Sequence, residues 1–263
     1  LLIFCTESDK LNRNRLNTRW IAVDAQRLDK LIASTGKWSR REAKLLIKEG
    51  RVLVDGTPAR SGEDKADPSI SEILVDGENL GYRQYTYIML NKPAGVLSAT
   101  EDRRQKTVLD LLPEELRRQD LFPVGRLDRD TEGLLLLTND GDLAHRLLAP
   151  KSHVDKVYYA RLDRPLGPED QAAFAAGITL ADGYCCMPAG LQLLGDGSQV
   201  LVTLHEGKFH QIKRMTAARG ATVCYLRRIA MGPLRLDNNL NIGEYRFLTP
   251  EEVAEMRKKW ENN

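Results

Sequence analysis

The sequence predicts an α+β protein with a small N-terminal module and a larger second domain. Strand-like segments such as "KVYYARLD" and "QVLVTL" are interleaved with helical segments without the regular alternation of a doubly wound fold. The 263 residues, 42% hydrophobic and 29% charged, suffice for a sizeable core and have the composition of an ordinary globular protein. We expect an extension over 1–25, a module over 26–80, a linker over 81–87 and a domain over 88–263.

The extension shows no clear periodicity, and we expect it to be flexible or artefactual. Its opening, "LLIFC", is too short for the core of a signal peptide. No apolar run in the chain approaches the roughly 18 residues that a membrane span requires. We therefore expect a cytoplasmic protein that does not associate with a membrane.

The N-terminal module is predicted to contain two helices and two hairpins. Leu28, Leu31 and Ile32 have the spacing of one helical face. "SRRE" (Ser39–Glu42) is a capping box that begins a second helix, which we expect to end near Gly50. "RVLVDGTPA" and "EILVDGEN" each place an Asp-Gly turn after a strand-like segment, the pattern of a hairpin.

The second domain begins with "IMLNKPAG", a strand that enters a loop at Lys92–Gly95. A buried strand is expected at Leu134–Leu137 and a helix around residues 211–219. "TPEE" predicts the start of a last helix, with Thr249 as its cap and Glu252 at the third helical position.

Positive charge is concentrated in two places, although the net charge is only +2. Residues 26–51 hold eight Lys or Arg against three acidic residues, and residues 203–228 hold six against one. In the first segment, cations occupy the helix face opposite to Ala43, Leu46 and Ile47. These cations are Arg40, Arg41, Lys44 and Lys48. Two basic segments on an otherwise acidic chain favour a nucleic-acid partner over ordinary solvated charge.

The stretch "GRLDRDTEGLLLLTNDG", residues 125–141, places Asp128 between Arg126 and Arg129. Gly125 and Gly133 allow backbone turns that other residues resist. Flanking arginines favour an ionised carboxylate, which can act as a nucleophile or a base, and they can hold phosphates beside a substrate. A salt-bridged aspartate in a turn would give the same pattern.

Two further stretches carry residues suited to chemistry. "KVYY" supplies Lys156 and Tyr158, and a tyrosine can stack on a base or accept a proton, although most tyrosines on strands only pack. "EGKFHQIKRM" places Lys213 and Arg214 in the first turns of a helix, where cations oppose the helix dipole. We expect a negative group to compensate them, either Asp128 or a phosphate.

No metal or cofactor is predicted. The four cysteines lack Cys-x-x-Cys spacing, and we expect buried thiols. His205 and His210 in "HEGKFH" are five residues apart, whereas a zinc helix places two histidines four apart. The chain also lacks a glycine-rich phosphate loop.

Five stretches in order resemble the RsuA-type pseudouridine synthases, bacterial enzymes that isomerise single uridines in ribosomal RNA. "GRLDRDTEGLLLLTNDG", "KVYYA" and "EGKFHQIKRM" are similar to their three signature motifs, and "LNKPAG" to the entry of their catalytic domain. "RLDKLIASTGKWSRREAKLLIKEGRVLVDG" resembles their S4 RNA-binding module. The resemblance covers roughly residues 26–260. It implies an S4 domain (αL-type) followed by a pseudouridine synthase domain on a mixed, mainly antiparallel β-sheet with flanking helices.

The resemblance also implies roles for individual residues. Asp128 matches the catalytic aspartate, which attacks the ribose or takes its C2′ proton, so that the uracil detaches, rotates and rejoins through C5. Tyr158 matches the active-site tyrosine that packs on the target base. Lys213 occupies the basic position that pairs with the aspartate, where many relatives have Arg. Ile212 is expected to line the base pocket, and Arg126 to fill the gap left by the flipped uridine.

We further expect an RNA-binding surface made mainly of cations. Its predicted members are Arg27, Lys30, Ser39, Arg40, Arg41, Lys44, Lys48, Arg51, Lys92, Arg129, Lys156, His210, Gln211 and Arg214. The expected substrate is ribosomal RNA, and the 16S rRNA is favoured because "KSHVDKVYYARL" and "GKFHQIKRMTAARG" resemble the 16S members of the family. The RNA could be naked or part of a small-subunit assembly intermediate, and we expect a monomeric enzyme.

Three alternatives remain open. A 23S rRNA synthase of the same family shares all the motifs. An S4-bearing RNA-binding or assembly factor without catalysis would use the basic surfaces but not Asp128, Tyr158 and Lys213 together. A nucleic-acid glycosidase would require two carboxylates across the scissile bond. Asp130 and Glu132 are near Asp128 in sequence, but nothing in the pattern opposes them across a substrate.

Overall fold

The computed structural model describes residues 25–261, so nearly all of the predicted extension lies outside the described residues. The chain divides into two compact units. One contains the described residues up to Ala33 together with Trp38–Tyr82, and the other contains Ser34–Lys37 and the residues from Arg83 onward. Between residues 25 and 261, none of the helices has the length and apolarity needed to span a bilayer.

The first unit has the two predicted helices and two predicted hairpins. Its elements are β1 (Gln26–Arg27), α1 (Leu28–Ser34), α2 (Arg40–Lys48), β2 (Val52–Val54), β3 (Thr57–Pro58), β4 (Lys65–Ala66), β5 (Ile73–Val75) and β6 (Glu78–Asn79). Strands β3, β2, β5 and β6 form one antiparallel sheet in that order, and β1 pairs with β4. Both Asp-Gly turns have positive φ at each residue, as two-residue hairpin turns of this kind require.

Helix α2 has the two faces that its sequence predicts. The capping box is formed, since the Ser39 hydroxyl accepts from the Glu42 amide and the Glu42 carboxylate accepts from the Ser39 amide. Ala43, Leu46 and Ile47 are buried in the core of this unit. The four cations on the opposite face are exposed. Burial of the apolar face therefore fixes which side of the helix presents positive charge to solvent.

The second unit is built on a nine-stranded sheet. Its strands are β7 (Tyr87–Lys92), β8 (Phe122–Pro123), β9 (Glu132–Thr138), β10 (Lys156–Leu162), β11 (Gly190–Leu194), β12 (Gln199–Leu204), β13 (Val223–Met231), β14 (Leu234–Arg235) and β15 (Tyr245–Phe247). The main order is β11-β12-β10-β13-β9-β7-β15, with β14 on β13 and β8 on β9. The β9–β13 pair is parallel and the others are antiparallel, so the expected mixed, mainly antiparallel sheet is confirmed.

Helices flank this sheet. They are α3 (Glu114–Arg117), α4 (Gly141–Leu148), α5 (Pro168–Ala176), α6 (Gln211–Ala218) and α7 (Pro250–Glu261), with short 3-10 turns at Leu109–Leu111 and Pro150–Ser152. The predicted cap of α7 is present: the Glu252 amide donates to the Thr249 hydroxyl and the Thr249 amide donates to the Glu252 carboxylate.

Strand β9 separates two apolar cores, one on each face of the sheet. Leu135 and Leu137 belong to the larger core, whereas Leu134 and Leu136 belong to the smaller one. A strand buried on both faces reads as a continuous apolar run, which explains the four consecutive leucines. Helix α6 contributes Ile212 to the larger core. Helix α6 therefore packs on the face of the sheet that carries Leu135 and Leu137 of β9.

Glycine is required where β9 begins. Gly133 has φ +101°, and a Cβ at this position would lie 2.3 Å from the carbonyl oxygen of Arg228 on β13. No flexible side chain could move aside to relieve that contact, because the obstacle is backbone. Gly133 thus allows β13 to lie against the residues that follow Asp128.

Candidate active site

The loop before β9, residues 125–131, is tied to the core at Leu127. Gly125 begins the loop with φ +77°. Leu127 is buried in the larger core, and the Ser98 hydroxyl both donates to its carbonyl (2.9 Å) and accepts from its amide (3.1 Å). These contacts fix the residue before Asp128, whose carboxylate remains 26% exposed. We call residues 125–131 the catalytic loop.

Lys92 holds the catalytic loop from inside the protein. Its ammonium is buried and donates to four backbone carbonyls, those of Pro93 (3.0 Å), Asp128 (3.2 Å), Arg129 (3.3 Å) and Thr131 (2.9 Å). Burial lowers the pKa of Lys92 from 10.5 to about 8. The sequence predicted an RNA contact here, but a fully buried ammonium cannot reach RNA. The role of Lys92 is structural, because this last residue of β7 extends beneath the loop and binds its backbone.

Two cationic or titratable groups reach the Asp128 carboxylate from helix α6. The Lys213 ammonium is 3.5 Å from Oδ2, and His210 Nε2 is 3.7 Å from Oδ1. The expected juxtaposition of Asp128 with Lys213 is therefore present. Lys213 is only 23% exposed, so solvent screens its attraction for the carboxylate less than it would at an open surface.

Lys213 is shared with a second carboxylate that the sequence analysis did not assign. Its ammonium lies 2.6 Å and 2.8 Å from the two oxygens of Asp130, closer than it lies to Asp128. This hydrogen bond lowers the pKa of Asp130. The signal was present in the sequence, since Asp130 follows Asp128 by two residues, but spacing alone does not reveal which carboxylate meets the helix.

The two arginines beside Asp128 do not pair with it. Within the described residues 25–261, neither Arg126 nor Arg129 has an atom within 4.0 Å of an Asp128 carboxylate oxygen in an ion pair. Arg126 is exposed, and Arg129 donates from Nε to the carbonyl of Gly95 at 3.3 Å. Neither arginine makes the close contact with the carboxylate that its flanking position suggests, because both side chains are exposed whereas Leu127 is buried in the core. Both remain accessible to phosphate.

Tyr158 and Ile212 join the site from the sheet and from α6. Both belong to the same apolar core as Leu127, so residues from all three sequence motifs meet in one packed cluster. Tyr158 is 8% exposed. Within the part of the chain that the structure describes, its hydroxyl has no hydrogen-bond partner, which leaves it available to a substrate.

Two more predicted RNA contacts lie in the interior. Lys156 is buried and donates to the carbonyl of Val154 at 3.2 Å; burial lowers its pKa to about 8, and the nearby Arg228 guanidinium adds to this effect. Gln211 is buried, donates to the Glu206 carboxylate at 2.7 Å and accepts from the Lys208 amide. Their hydrogen bonds serve the fold, and burial removes both from the predicted RNA-binding surface.

The remaining predicted contacts divide into free and paired groups. Lys30, Arg40, Arg41 and Lys48 are exposed, and Ser39 acts as the cap of α2. The paired groups are Arg27 with Asp29 and Glu63, Lys44 with Asp29, Arg51 with Asp76 and Glu49, and Arg214 with Asp182. The exposed cations of α2 therefore make the most accessible part of this surface.

The thiols depart from the expectation of burial. Cys186 is buried, but Cys185 and Cys224 are exposed, and Cys5 lies outside the described residues. Cys185 follows a turn, and Cys224 lies near the start of β13, where the pairing with β10 shifts register.

Comparisons with known families match two parts of the chain. A family described as RNA pseudouridylate synthase matches residues 86–218, and the S4 domain matches residues 26–69. The chain belongs to the RNA pseudouridylate synthase family. It is an enzyme of the isomerase class, and the predicted resemblance and the predicted S4 domain are confirmed.

Relatives match the synthase over most of its length. An uncharacterized RNA pseudouridine synthase of Bacillus subtilis is 49% identical over 230 residues, covering 86% of this chain and 96% of the relative. The ribosomal small subunit pseudouridine synthase A of Vibrio cholerae is 41% identical, covering 88% and 100%. A solved pseudouridylate synthase is 37% identical with a TM-score of 0.63, covering 88% of this chain and 99% of that one.

Proposed function

We propose that the synthase converts a specific uridine of small-subunit (16S) ribosomal RNA to pseudouridine, with Asp128 as the catalytic aspartate. The observation that carries this proposal is the partly exposed Asp128 carboxylate beside Lys213 and His210, on the core cluster that contains Tyr158. Relatives named ribosomal small subunit pseudouridine synthase A, at 39–42% identity, support the choice of RNA.

In the proposed reaction, the N1–C1′ bond of the flipped uridine breaks and a C5–C1′ bond replaces it. Asp128 either attacks C1′ or removes the C2′ proton, and in each case the uracil leaves with the electron pair of the broken bond. After the base has rotated, C5 bonds to C1′; the Asp128–C1′ ester bond breaks in the first case, and C2′ regains its proton from Asp128 in the second. C5 then loses its proton, while N1 gains one. The atoms of the uridine are conserved, so the isomerisation consumes no co-reactant.

The surrounding residues divide the remaining work. Lys213 offers a point charge beside the carboxylate of Asp128, 3.5 Å from Oδ2. The Tyr158 ring closes one side of the base site, and its free hydroxyl is a candidate acceptor for the C5 proton. Arg126 is exposed and unpaired within the described residues, as a group that enters the space vacated by a flipped base must be.

The exposed cations of α2 provide a second place for RNA. Arg40, Arg41 and Lys48 are free of ion pairs within 4.0 Å among residues 25–261. Phosphates that bind there would raise the effective concentration of the target at the catalytic loop without contributing to chemistry.

The test is release of tritium from [5-³H]uridine in separate 16S and 23S transcripts. We expect wild type to release tritium from 16S RNA, free or bound to small-subunit proteins, and Asp128→Asn to release none. Release only from 23S RNA would keep the mechanism and overturn the choice of substrate. Binding of 16S RNA without release from either RNA would instead support a non-catalytic RNA-binding factor, and release of free uracil would indicate a glycosidase.

A further inference from the structure

Phe209 exposes an aromatic ring to solvent immediately beside the active site. The residue is 75% exposed, although it directly precedes His210, whose Nε2 lies 3.7 Å from the Asp128 carboxylate. The Phe209 ring stacks on the His210 ring, with centroids 3.8 Å apart and an angle of 17° between the planes. One face of Phe209 is therefore covered by His210, and the other is open.

The folding of helix α6 does not account for this ring. Phe209 precedes the N-cap, a position where an apolar side chain often packs against the fourth helical residue. Here that residue is Arg214, whose guanidinium pairs with Asp182 at 2.5 Å. Phe209 is also absent from the apolar cores of the described residues. An aromatic ring that stabilises neither helix nor core has a surface that a ligand can cover.

The backbone at His210 is strained in a way that holds the Phe209 and His210 rings together. His210 has φ 49°, a left-handed conformation that costs roughly 1 kcal/mol or more for a residue other than glycine. This conformation at the start of α6 lets the imidazole contact both Asp128 and Phe209. The stacked rings of Phe209 and His210 are consequently held beside the Asp128 carboxylate instead of moving freely on a surface loop.

The charges around Phe209 suit a nucleic acid. Residues 208–214 hold three cations and no acidic residue; Lys213 and Arg214 are paired with Asp130 and Asp182, and the Lys208 ammonium lies over the Tyr184 ring, 4.8 Å from its centroid. Single-stranded RNA is bound where aromatic rings stack with bases and nearby cations attract phosphates. An apolar protein partner would be a poorer fit to one isolated ring among cations.

We propose that the open face of Phe209 is a stacking subsite for a nucleobase next to the target uridine in the substrate RNA. This inference rests on the proposed function and deepens it. The stacked base is a neighbour and not the reacting uracil, because His210 lies between Phe209 and Asp128. The subsite orders the strand beside the flipped uridine and contributes to recognition of the target.

Substitutions at Phe209 test the subsite because an exposed ring can be changed without disturbing the core. Base–aromatic stacking is worth about 1–3 kcal/mol, so Phe209→Ala should weaken binding of the 16S transcript about 5- to 150-fold. Phe209→Trp should bind within about threefold of wild type, since it retains a stacking face. Phe209→Leu should resemble the alanine variant, since it keeps apolar area without a π-face. Phe247→Ala, which removes another exposed phenylalanine, is the matched control and should bind like wild type.

Filter binding and tritium release on the same 16S transcript separate this inference from the proposed function. Loss of affinity in the alanine and leucine variants, but not in the tryptophan variant, supports the subsite. If wild type binds but releases no tritium, the proposed function fails, while that same pattern of affinities would still support stacking. Unchanged affinity in Phe209→Ala, or full affinity in Phe209→Leu, overturns the subsite whether or not the enzyme is active.

Discussion

Lys92 and Lys213 meet the catalytic loop from opposite sides and in opposite environments. Lys92 is buried and binds four backbone carbonyls, three of them in the loop. Lys213 is partly exposed and binds the side-chain carboxylates of Asp128 and Asp130. Carbonyls carry only partial charge, so the contacts of Lys92 fix where the backbone lies. The carboxylates carry full charge, so the contacts of Lys213 set the electrostatics around Asp128, the proposed catalytic group.

This difference separates stability from chemistry within one loop. Loss of the inner lysine takes the donor from the Pro93 and Thr131 carbonyls, a large cost to folding, although the Asp128 and Arg129 carbonyls still accept from the Thr131 and Gly95 amides. Loss of the outer lysine leaves carboxylates that water can still reach, a small cost to folding but a large change in the field at Asp128. Substitution of each lysine should therefore affect a different measurement.

The largest effect on stability is expected for Lys92→Met. The variant fills similar volume but takes the donor from the buried ends of the Pro93 and Thr131 carbonyls, and we expect it to lower the free energy of unfolding by about 3–5 kcal/mol. Urea unfolding followed by circular dichroism measures the change. Lys106→Met, which removes an exposed lysine, is the control and should change it by less than about 0.5 kcal/mol. Equal stability of the two variants would contradict the structural role of Lys92.

Lys213→Met should instead reduce activity. Without the ammonium beside Asp128, we expect kcat to fall about 10²-fold, the size typical of one lost electrostatic contact at a reacting group. The free energy of unfolding should change by at most about 1 kcal/mol, since the ion pairs are partly exposed. Lys213→Arg keeps the charge and should recover most of the rate. A methionine variant with wild-type kcat would show that the charge of Lys213 does not assist the reaction.

The exposed face of α2 offers a third cationic environment, in which Arg40, Arg41 and Lys48 have no ion pair within 4.0 Å among residues 25–261. We expect Arg40→Ala, Arg41→Ala and Lys48→Ala together to raise KM about tenfold at physiological salt without changing kcat. The slope of log affinity against log salt should become shallower by about 2. Arg51→Ala is the control, because Asp76 already binds that guanidinium at 2.7 Å and 2.8 Å. A fall in kcat would place this face in the reaction itself.

The smallest effect is a pH dependence caused by Lys156. The lysine binds its proton up to about pH 10.5 in the unfolded chain but only to about pH 8 in the folded protein. Unfolding therefore takes up a proton between about pH 8 and pH 10.5. The contribution of Lys156 to the free energy of unfolding consequently rises with pH across this range. The free energy of unfolding of wild type minus that of Lys156→Met should increase by about 1 kcal/mol or more from pH 7.5 to pH 9.5. Lys151→Met, at an exposed lysine, should show no such trend.

Local patterns predicted the scaffold of the site well. The capping boxes of α2 and α7, the Asp-Gly hairpins and the apolar run of the buried strand β9 are each visible within a few residues of sequence, and all are present. The environments of individual lysines were not predictable in this way. Lys92 reaches carbonyls 36 to 39 residues distant in the chain. The residue type alone does not distinguish such a buried lysine from an exposed one.

The site was predicted where residue type decides the chemistry and missed where tertiary packing decides it. Asp128, Tyr158 and Lys213 were identified by motif, and the structure brings the first and third together. The sharing of Lys213 with Asp130 and the exposure of Phe209 depend on how α6 meets the catalytic loop. That contact joins segments about 80 residues apart, which no periodicity within either segment could reveal.

The central claim is that Asp128, and not the adjacent carboxylate that binds Lys213 more closely, carries out the isomerisation. The direct measurement is single-turnover tritium release from an RNA that wild type modifies, by Asp128→Asn and Asp130→Asn in parallel. The account predicts a loss of at least about 10³-fold for Asp128→Asn. Asp130→Asn, at a side chain that is 71% exposed, should keep its rate within about tenfold of wild type. Equal inactivation of both variants, or turnover by Asp128→Asn, would contradict it.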